Sequence, residues 1–142
     1  MYEVSGVPNS DMHVILPYVD KYLDKVLPYT GGRYEKQDII EGVSNRILDL
    51  WIPINKETSK VDGVVVTQFS VYPRKKVFTI LLCCGDNLNE WYSPLFDMLY
   101  SFADLNECDL AEVVGRKGWI RRLKDDGFKQ SVWIVEREFK NG

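Results

Sequence analysis

Basic side chains are concentrated in one stretch of this 142-residue chain, residues 113–128, whose sequence is VVGRKGWIRRLKDDGF. Five of them fall within nine positions: Arg116, Lys117, Arg121, Arg122 and Lys124. Such a density creates a local positive field that suits a phosphate-bearing partner or an acidic protein surface. The same residues also fit the solvent face of a short helix whose buried edge is Trp119, Ile120 and Leu123. We predict an interaction surface on a helix that is chiefly structural.

The remaining chemistry-bearing residues give little support for metal or nucleophile chemistry. The single histidine, His13, has no cysteines or carboxylates at ligand spacing, so no metal site is predicted. Cys83 and Cys84 are adjacent in an apolar run and Cys108 stands alone, which indicates buried thiols in a reducing compartment. The sequence also lacks a Walker loop, a dinucleotide fingerprint and a nucleophile elbow.

Overall composition sets limits on partners and location. With 21 acidic and 18 basic residues the formal charge is −3, which gives no general attraction to nucleic acid or to an anionic membrane. A hydrophobic fraction of 45% suits one domain over residues 1–142. The first thirteen residues lack a basic leader, and the longest apolar run, VFTILLCC, is too short to span a bilayer. We expect a soluble, unexported protein.

Hydrophobic periodicity predicts the elements that position these side chains. Helices are predicted at residues 10–30, 34–46 and 88–104, with a rival start for the third at Ser93–Pro94, and over the basic stretch as far as Gly127. Strands are predicted at residues 47–54, 63–71, 76–84, 108–115 and 129–139. The turn YPRK joins the second and third strands as a hairpin, whereas strand–helix–strand crossovers require parallel pairs. The fold class is therefore α/β (α+β), a mixed, mostly antiparallel central sheet flanked by helices.

The end of the chain resembles the GCN5-related N-acetyltransferase (GNAT) fold, in which a strand, a short helix, a GF turn and a last strand close the sheet. The stretch that carries the likeness is CDLAEVVGRKGWIRRLKDDGFKQSVWIVEREF. A group of phage- and prophage-encoded GNAT-like proteins is more similar still. They share, in order, GGRYEKQDIIEG, LW, VDG, YPRKKV, EWY and GRKGWIRRL…GF, over nearly the whole chain from about Leu16. The resemblance implies a protein of a tailed phage, because such proteins are often encoded among virion and assembly genes and an internal virion protein of short-tailed phages has a similar fold.

The resemblance also implies a site for acetyl-CoA at the junction between the fourth strand of that fold and the following helix. Working members bind the pyrophosphate there with a loop of the form Arg/Gln-x-x-Gly-x-Gly/Ala, whose backbone N–H groups point at the anion. The junction in this chain is CCGDNLNEW, and its candidate cofactor contacts are Cys84, Gly85, Asn87 and Asn89. Asp86, however, places a negative charge where the diphosphate would rest, an unfavourable contact on the order of 1 kcal/mol or more. We therefore expect no cofactor unless the protein is an active enzyme, which would require acetyl-CoA.

Catalytic groups of the kind that the resemblance implies are sparse. Acetyl transfer to an amine needs a base, and often a tyrosine that protonates the leaving thiolate. Glu112 on the 108–115 strand is the weak candidate for this base, on condition that it faces the cleft, and the alternating strand favours an outward polar position for it instead. The last short helix contains no tyrosine, while Tyr92 and Tyr100 on the preceding helix suit packing roles.

The sequence thus favours a GNAT-like protein without acetyl-transfer chemistry. It would act in the virion or the host cytoplasm, contacting other phage structural proteins in a multi-copy assembly. Its contact surfaces would be the basic helix face and, if exposed, aromatic residues around Trp91, Tyr92 and Trp119. The alternatives are an active N-acetyltransferase with an altered pyrophosphate loop and, with less support, a nucleic-acid accessory module that uses residues 116–124.

Overall fold

The computed structural model describes residues 1–114, 117–131 and 134–139. Within these residues the helices are α1 (Met12–Val26), α2 (Lys36–Ser44), α3 (Leu88–Leu105) and α4 (Lys117–Asp125). The strands are β1 (Tyr2–Val7), β2 (Asp49–Asn55), β3 (Lys60–Val61), β4 (Gly63–Val71), β5 (Lys76–Gly85) and β6 (Leu110–Val113). Helix α3 begins at Leu88 and contains Pro94, so the rival start at Ser93–Pro94 is wrong.

One mixed sheet joins these strands in the order β1-β2-β4-β5-β6, with β3 beside β2. All described pairs are antiparallel except β5–β6, which is parallel because the chain crosses over through α3. The pair Val71↔Lys76 closes the predicted hairpin around the YPRK turn. The prediction of a mostly antiparallel mixed sheet flanked by helices is confirmed.

The two faces of the sheet bury different helices. Successive side chains of a strand point to opposite faces of the sheet. Leu50 and Ile52 therefore face a core that α1 and α2 cover, whereas Trp51 faces a core that α3 and Leu123 of α4 cover. In the central strand β4, Val64 and Val66 join the first core and Val65 the second, and all three are fully buried. Because β4 is buried on both faces, it and its neighbour β5 form the packed centre of the sheet, which positions the candidate site.

The first strand, β1, is absent from the sequence prediction. It pairs with β2 along its full length, from Tyr2↔Asn55 to Val7↔Leu50. Its local signal is weak, because Val4 is its only fully buried residue and Gly6 interrupts the alternation. The strand is stabilised by pairing with residues about fifty positions away, which a local pattern does not reveal.

The sequence predicted a last strand at residues 129–139, of which the structure describes residues 129–131 and 134–139. These described residues form no strand, so for them the prediction is wrong. Ile134, Val135 and Phe139 are instead 77%, 94% and 73% exposed. Alternating apolar residues make a segment suitable for a sheet, but a strand forms only where a neighbouring strand takes its hydrogen bonds. Here Glu136 forms an ion pair with Arg33, in the connection between α1 and α2.

Candidate functional site

The parallel strand β6 pairs with only the first half of β5, and the candidate site begins where this pairing ends. Their pairing ends at Ile80↔Val113. On its other side β5 carries a bulge, because Val66 pairs with Leu82 and Thr67 with Ile80, so that Leu81 is the extra residue. A bulge increases the local twist and bends its strand. Beyond the end of β6, residues 81–85 continue β5 toward the start of α3.

Gly85 ends β5 at a position where no side chain fits. A Cβ atom there would lie 2.4 Å from the carbonyl oxygen of Asp62, 2.6 Å from Cα of Gly63 and 2.8 Å from the ring of Trp91. Trp91 is fully buried, so its ring cannot move aside without opening the core. Gly85 is therefore required for packing, and a larger residue at this position would report on folding rather than on ligand binding.

Asp86 follows directly, and both its backbone groups and its carboxylate are held by the protein. Its N–H donates to the carbonyl oxygen of Asp62 at 2.7 Å, and its carbonyl accepts from the indole N–H of Trp91 at 2.7 Å. Its carboxylate accepts the hydroxyl of Tyr22, from helix α1, at 2.9 Å. Burial, followed by the bond to Asp86, raises the pKa of Tyr22, so that this phenol remains a neutral donor. The carboxylate is thereby fixed in place at the entrance to α3.

Asn87 completes the two-residue connection between β5 and α3. Its φ of 58° lies in the left-handed region, which asparagine tolerates better than most residues. Its side-chain amide donates to the hydroxyl of Tyr2 at 3.1 Å, and that hydroxyl donates to the carboxylate of Asp62 at 2.5 Å. Its carbonyl accepts the N–H of Glu90 at 2.8 Å, which starts the helix. Strand β1 thus anchors the connection through Tyr2.

Arg122 of α4 reaches across to the first turn of α3. Its guanidinium donates to the side-chain oxygen of Asn89 and lies 4.5 Å from the ring centroid of Tyr92. The hydroxyl of Tyr92 donates in turn to the carboxylate of Asp126 at 2.5 Å, so Arg122 on α4 and Asp126 directly after that helix hold the same tyrosine. Burial raises the pKa of the nearby Cys83 thiol to about 12, although the positive charge of Arg122 opposes that shift. Helix α4 is thereby fixed against the start of α3.

The basic residues predicted to form one surface differ in how exposed they are. Arg121 and Lys124 are exposed on α4, whereas Arg122 is half-buried against α3. Arg116 and the side chain of Lys117 lie outside the described residues. Two of the five predicted cations are therefore available on an open helix face, while Arg122 lies at the candidate site.

Glu112, the candidate base, lies on β6 one position before the last β5–β6 pair. Its carboxylate accepts the hydroxyl of Thr79, the residue opposite it on β5, at 2.9 Å. Thr79 is 2% exposed and Glu112 is half-buried. The sheet therefore holds this carboxylate close to the end of the β5–β6 pairing.

The aromatic residues proposed as a conditional contact surface are largely internal. Trp91 is fully buried and Tyr92 is 9% exposed, with its ring 4.5 Å from that of Phe96. Trp119 is partly buried in the same core, 6.3 Å from Tyr92. Trp91 and Tyr92 are therefore not exposed enough to form a contact surface, because their rings fill the space between α3 and the sheet.

Sequence reasoning missed the residues that hold the junction from a distance. Tyr22 belongs to the apolar stripe of α1 and Tyr2 to an unrecognised strand, and no local pattern connects either of them with residue 86. The sequence signal in this region is confined to the junction CCGDNLNEW, and it gives no indication of Tyr22 or Tyr2.

The described residues contain neither a cluster of metal-ligating side chains nor a helix suited to cross a bilayer. No group of three or more histidine, cysteine, aspartate or glutamate side chains among these residues is arranged to hold a metal ion. No helix in the same part of the chain combines the length and apolar character that a bilayer span requires.

Several solved structures similar to this chain are acetyltransferases. A ribosomal-protein-alanine N-acetyltransferase from Brucella melitensis biovar Abortus 2308 has a TM-score of 0.69 and 12% identity, covering 98% of this chain and 99% of its own. A predicted acetyltransferase from Clostridium acetobutylicum, solved with acetyl-CoA, has a TM-score of 0.67 and 15% identity, covering 97% and 96%. A transcriptional regulator from Bacillus halodurans C-125 has a TM-score of 0.69 and 19% identity, covering 98% and 100%. No family model and no curated protein matches the sequence.

These similarities extend over almost the whole of each chain. At 10–19% identity they bear on the fold alone. The protein therefore has the GNAT acetyltransferase fold.

Proposed function

We propose that this protein is a GNAT-fold module that does not use acetyl-CoA and works through contacts with other proteins. The observation that carries the proposal is the engagement of Asp86, whose N–H, carbonyl and carboxylate all bind groups of the protein itself. A diphosphate requires N–H groups that point at it without an intervening negative charge. Asp86 meets neither condition, which supports the proposal that the β5–α3 junction does not hold a diphosphate.

The proposed setting is a tailed phage, in the virion or during assembly, with other phage structural proteins as partners. Support comes from the sequence motifs shared with phage-encoded GNAT-like proteins, and from Arg121 and Lys124, which an acidic protein surface would complement. Mass spectrometry of purified particles and procapsids should detect the protein. Persistent absence from both would contradict this setting.

An active N-acetyltransferase is the second candidate. It is favoured by the fold and by the Glu112 carboxylate, which the sheet holds near the end of the β5–β6 pairing. In that case Glu112 would take a proton from an amine, and Arg122 would supply the positive charge at the start of α3 that the junction otherwise lacks.

Titration with acetyl-CoA distinguishes the two candidates. We expect no saturable change in melting temperature up to millimolar cofactor, because a ligand that binds only the folded state must raise stability as its concentration exceeds Kd. A saturable rise in the wild-type protein that Arg122→Gln abolishes and Arg121→Gln preserves would overturn the proposal and support the enzyme. Arg121 is the matched control, because it is a neighbouring arginine on the same helix with an exposed side chain.

A further inference from the structure

Three large apolar side chains are exposed at the end of the sheet that lies opposite the candidate site. Val71 and Tyr72 lie at the tip of the β4–β5 hairpin and Leu105 ends α3, and they are 80%, 54% and 81% exposed. Strand β5 runs from Lys76 at this hairpin to Gly85 at the candidate site, a length of roughly 30 Å. Single apolar residues on a surface are ordinary, whereas neighbouring ones mark a contact site.

Packing inside the molecule brings the hairpin and the end of α3 side by side. The rings of Phe69 and Phe102 are in contact, with centroids 5.5 Å apart. Val71 lies two positions after Phe69, on the same face of β4. Leu105 lies about one helical turn after Phe102 on α3. The apolar side chains of the α3 core therefore continue onto the surface at this end of the sheet.

The same two parts of the chain carry charges of opposite sign. The exposed side chains of the hairpin tip include Arg74 and Lys75. Those at the end of α3 and in the turn after it include Asp104 and Glu107. No ion pair joins any of these four side chains to another described residue. Both signs of charge are therefore available to a second molecule, next to the exposed apolar side chains.

Hydrogen bonds hold the hairpin and the turn after α3 in fixed relative positions. The N–H of Tyr72 donates to the carbonyl oxygen of Lys75 at 2.8 Å and closes the hairpin tip. The ammonium group of Lys76 donates to the carbonyl oxygen of Asn106 at 2.6 Å, and the backbone N–H of Lys76 donates to the carboxylate of Asp109 at 2.8 Å. A surface that is already ordered loses less conformational entropy when it binds a partner.

We propose that this end surface, residues 71–75 and 104–107, is the contact between two copies of the chain in a twofold-symmetric dimer. Both copies use the same surface in such a dimer, so the surface must complement itself. Here the hairpin of each copy lies against the end of α3 of its partner, and the cations of one copy meet the carboxylates of the other in two equivalent places. Exposed ion pairs add little affinity, so the apolar side chains hold the copies together and the charges set their orientation. This inference does not depend on whether the β5–α3 junction binds acetyl-CoA.

Light scattering coupled to size-exclusion chromatography on the full chain tests the proposal. At high concentration the mass should be twice the 16.5 kDa of one chain. One variant makes the hairpin acidic through Arg74→Glu with Lys75→Glu. The other makes the end of α3 basic through Asp104→Lys with Glu107→Lys. Each variant alone should dimerise with a Kd at least about tenfold higher than the wild type, because like charges then face each other at both contacts.

Mixing the two charge-reversed proteins tests the twofold arrangement itself. Equal amounts of the two should form a dimer at a concentration where each alone is a monomer. In the mixed dimer an acidic hairpin meets a basic α3 end at one contact, and the other contact keeps the wild-type charges. The matched control is Arg121→Glu with Lys124→Glu on α4, which changes the net charge as the hairpin variant does and should dimerise like the wild type.

A pair of tyrosine variants measures the apolar contribution. Tyr72→Ser should weaken the dimer, whereas Tyr18→Ser, at a tyrosine of α1 that is 59% exposed, should not. Both variants should keep the wild-type melting temperature when dilute, because both side chains are exposed.

Three results would overturn the proposal. They are a wild-type protein that stays monomeric at all concentrations, charge-reversed proteins that each dimerise like the wild type, and folded charge-reversed proteins that do not dimerise when mixed. If a single-stranded oligonucleotide bound the monomeric wild type but not the hairpin variant, the occupant of this surface would be nucleic acid and the proposal would be wrong.

Discussion

Replacing Tyr22 by phenylalanine should destabilise the protein through one hydrogen bond. The hydroxyl of Tyr22 lies 2.9 Å from the carboxylate of Asp86, and Tyr22 is 3% exposed, so water cannot readily replace the lost donor. A hydrogen bond to a charged group is worth about 1.5–3 kcal/mol. For a chain of 142 residues this corresponds to a fall in melting temperature of about 5–10 °C.

Urea denaturation followed by tryptophan fluorescence measures this loss, and the same helix provides a control. Tyr18, one turn before Tyr22, is 59% exposed, so Tyr18→Phe should change the free energy of unfolding by less than about 0.5 kcal/mol. In a double-mutant cycle, Asp86→Ala and Tyr22→Phe should couple, because each removes the same bond. A Tyr22→Phe variant as stable as the wild type, or additive effects of the two changes, would show that the bond does not hold the carboxylate.

The same bond predicts how stability depends on pH. An unfolded tyrosine ionises near pH 10, and the folded state raises the pKa of Tyr22 because burial and then the Asp86 carboxylate disfavour the phenolate. The stability contributed by neutral Tyr22 is therefore complete below about pH 10 and is lost as pH rises toward the folded pKa. Tyr22→Phe should show a shallower loss of stability above pH 10 than the wild type, and an equal slope in the two proteins would contradict this assignment.

Three other predictions concern packing and reactivity. Gly85→Ala should lower the free energy of unfolding by about 3 kcal/mol or more, because its Cβ would collide with backbone atoms. Gly32 has a positive φ but open space around it, so Gly32→Ala should lower the same free energy by only about 1–2 kcal/mol in the same urea assay. Trp51→Phe removes the indole N–H that donates to the buried hydroxyl of Thr67 at 3.0 Å, so the free energy of unfolding should fall by about 1–3 kcal/mol. Thermal denaturation measures this loss, and an unchanged melting temperature would contradict the role of the bond. Burial raises the pKa of Cys83 to about 12, so its thiol should react with iodoacetamide at pH 8 far more slowly in the folded than in the unfolded protein. Peptide mass spectrometry measures the two rates, and equal rates would mean that the fold does not protect the thiol.

The amino-acid sequence by itself determined the order of most elements and the character of the sheet. The run KVFTILLCC is apolar on both faces and therefore predicted a strand inside the sheet, and β5 lies between β4 and β6. The YPRK turn predicted the β4–β5 hairpin, and the crossover through α3 predicted the parallel β5–β6 pair. These predictions succeed because periodicity and turn chemistry act over a few neighbouring residues.

Only the tertiary structure decided what happens at the junction and at the two ends of the chain. Asp86 gave a sequence signal, but its partners Tyr22 and Asp62 lie 64 and 24 positions away. Strand β1 depends on pairing with β2, and residues 134–139 carry a strand pattern without a strand neighbour among the described residues. A local pattern states what a segment is able to form, whereas hydrogen bonds between distant segments exist only once the whole chain has folded.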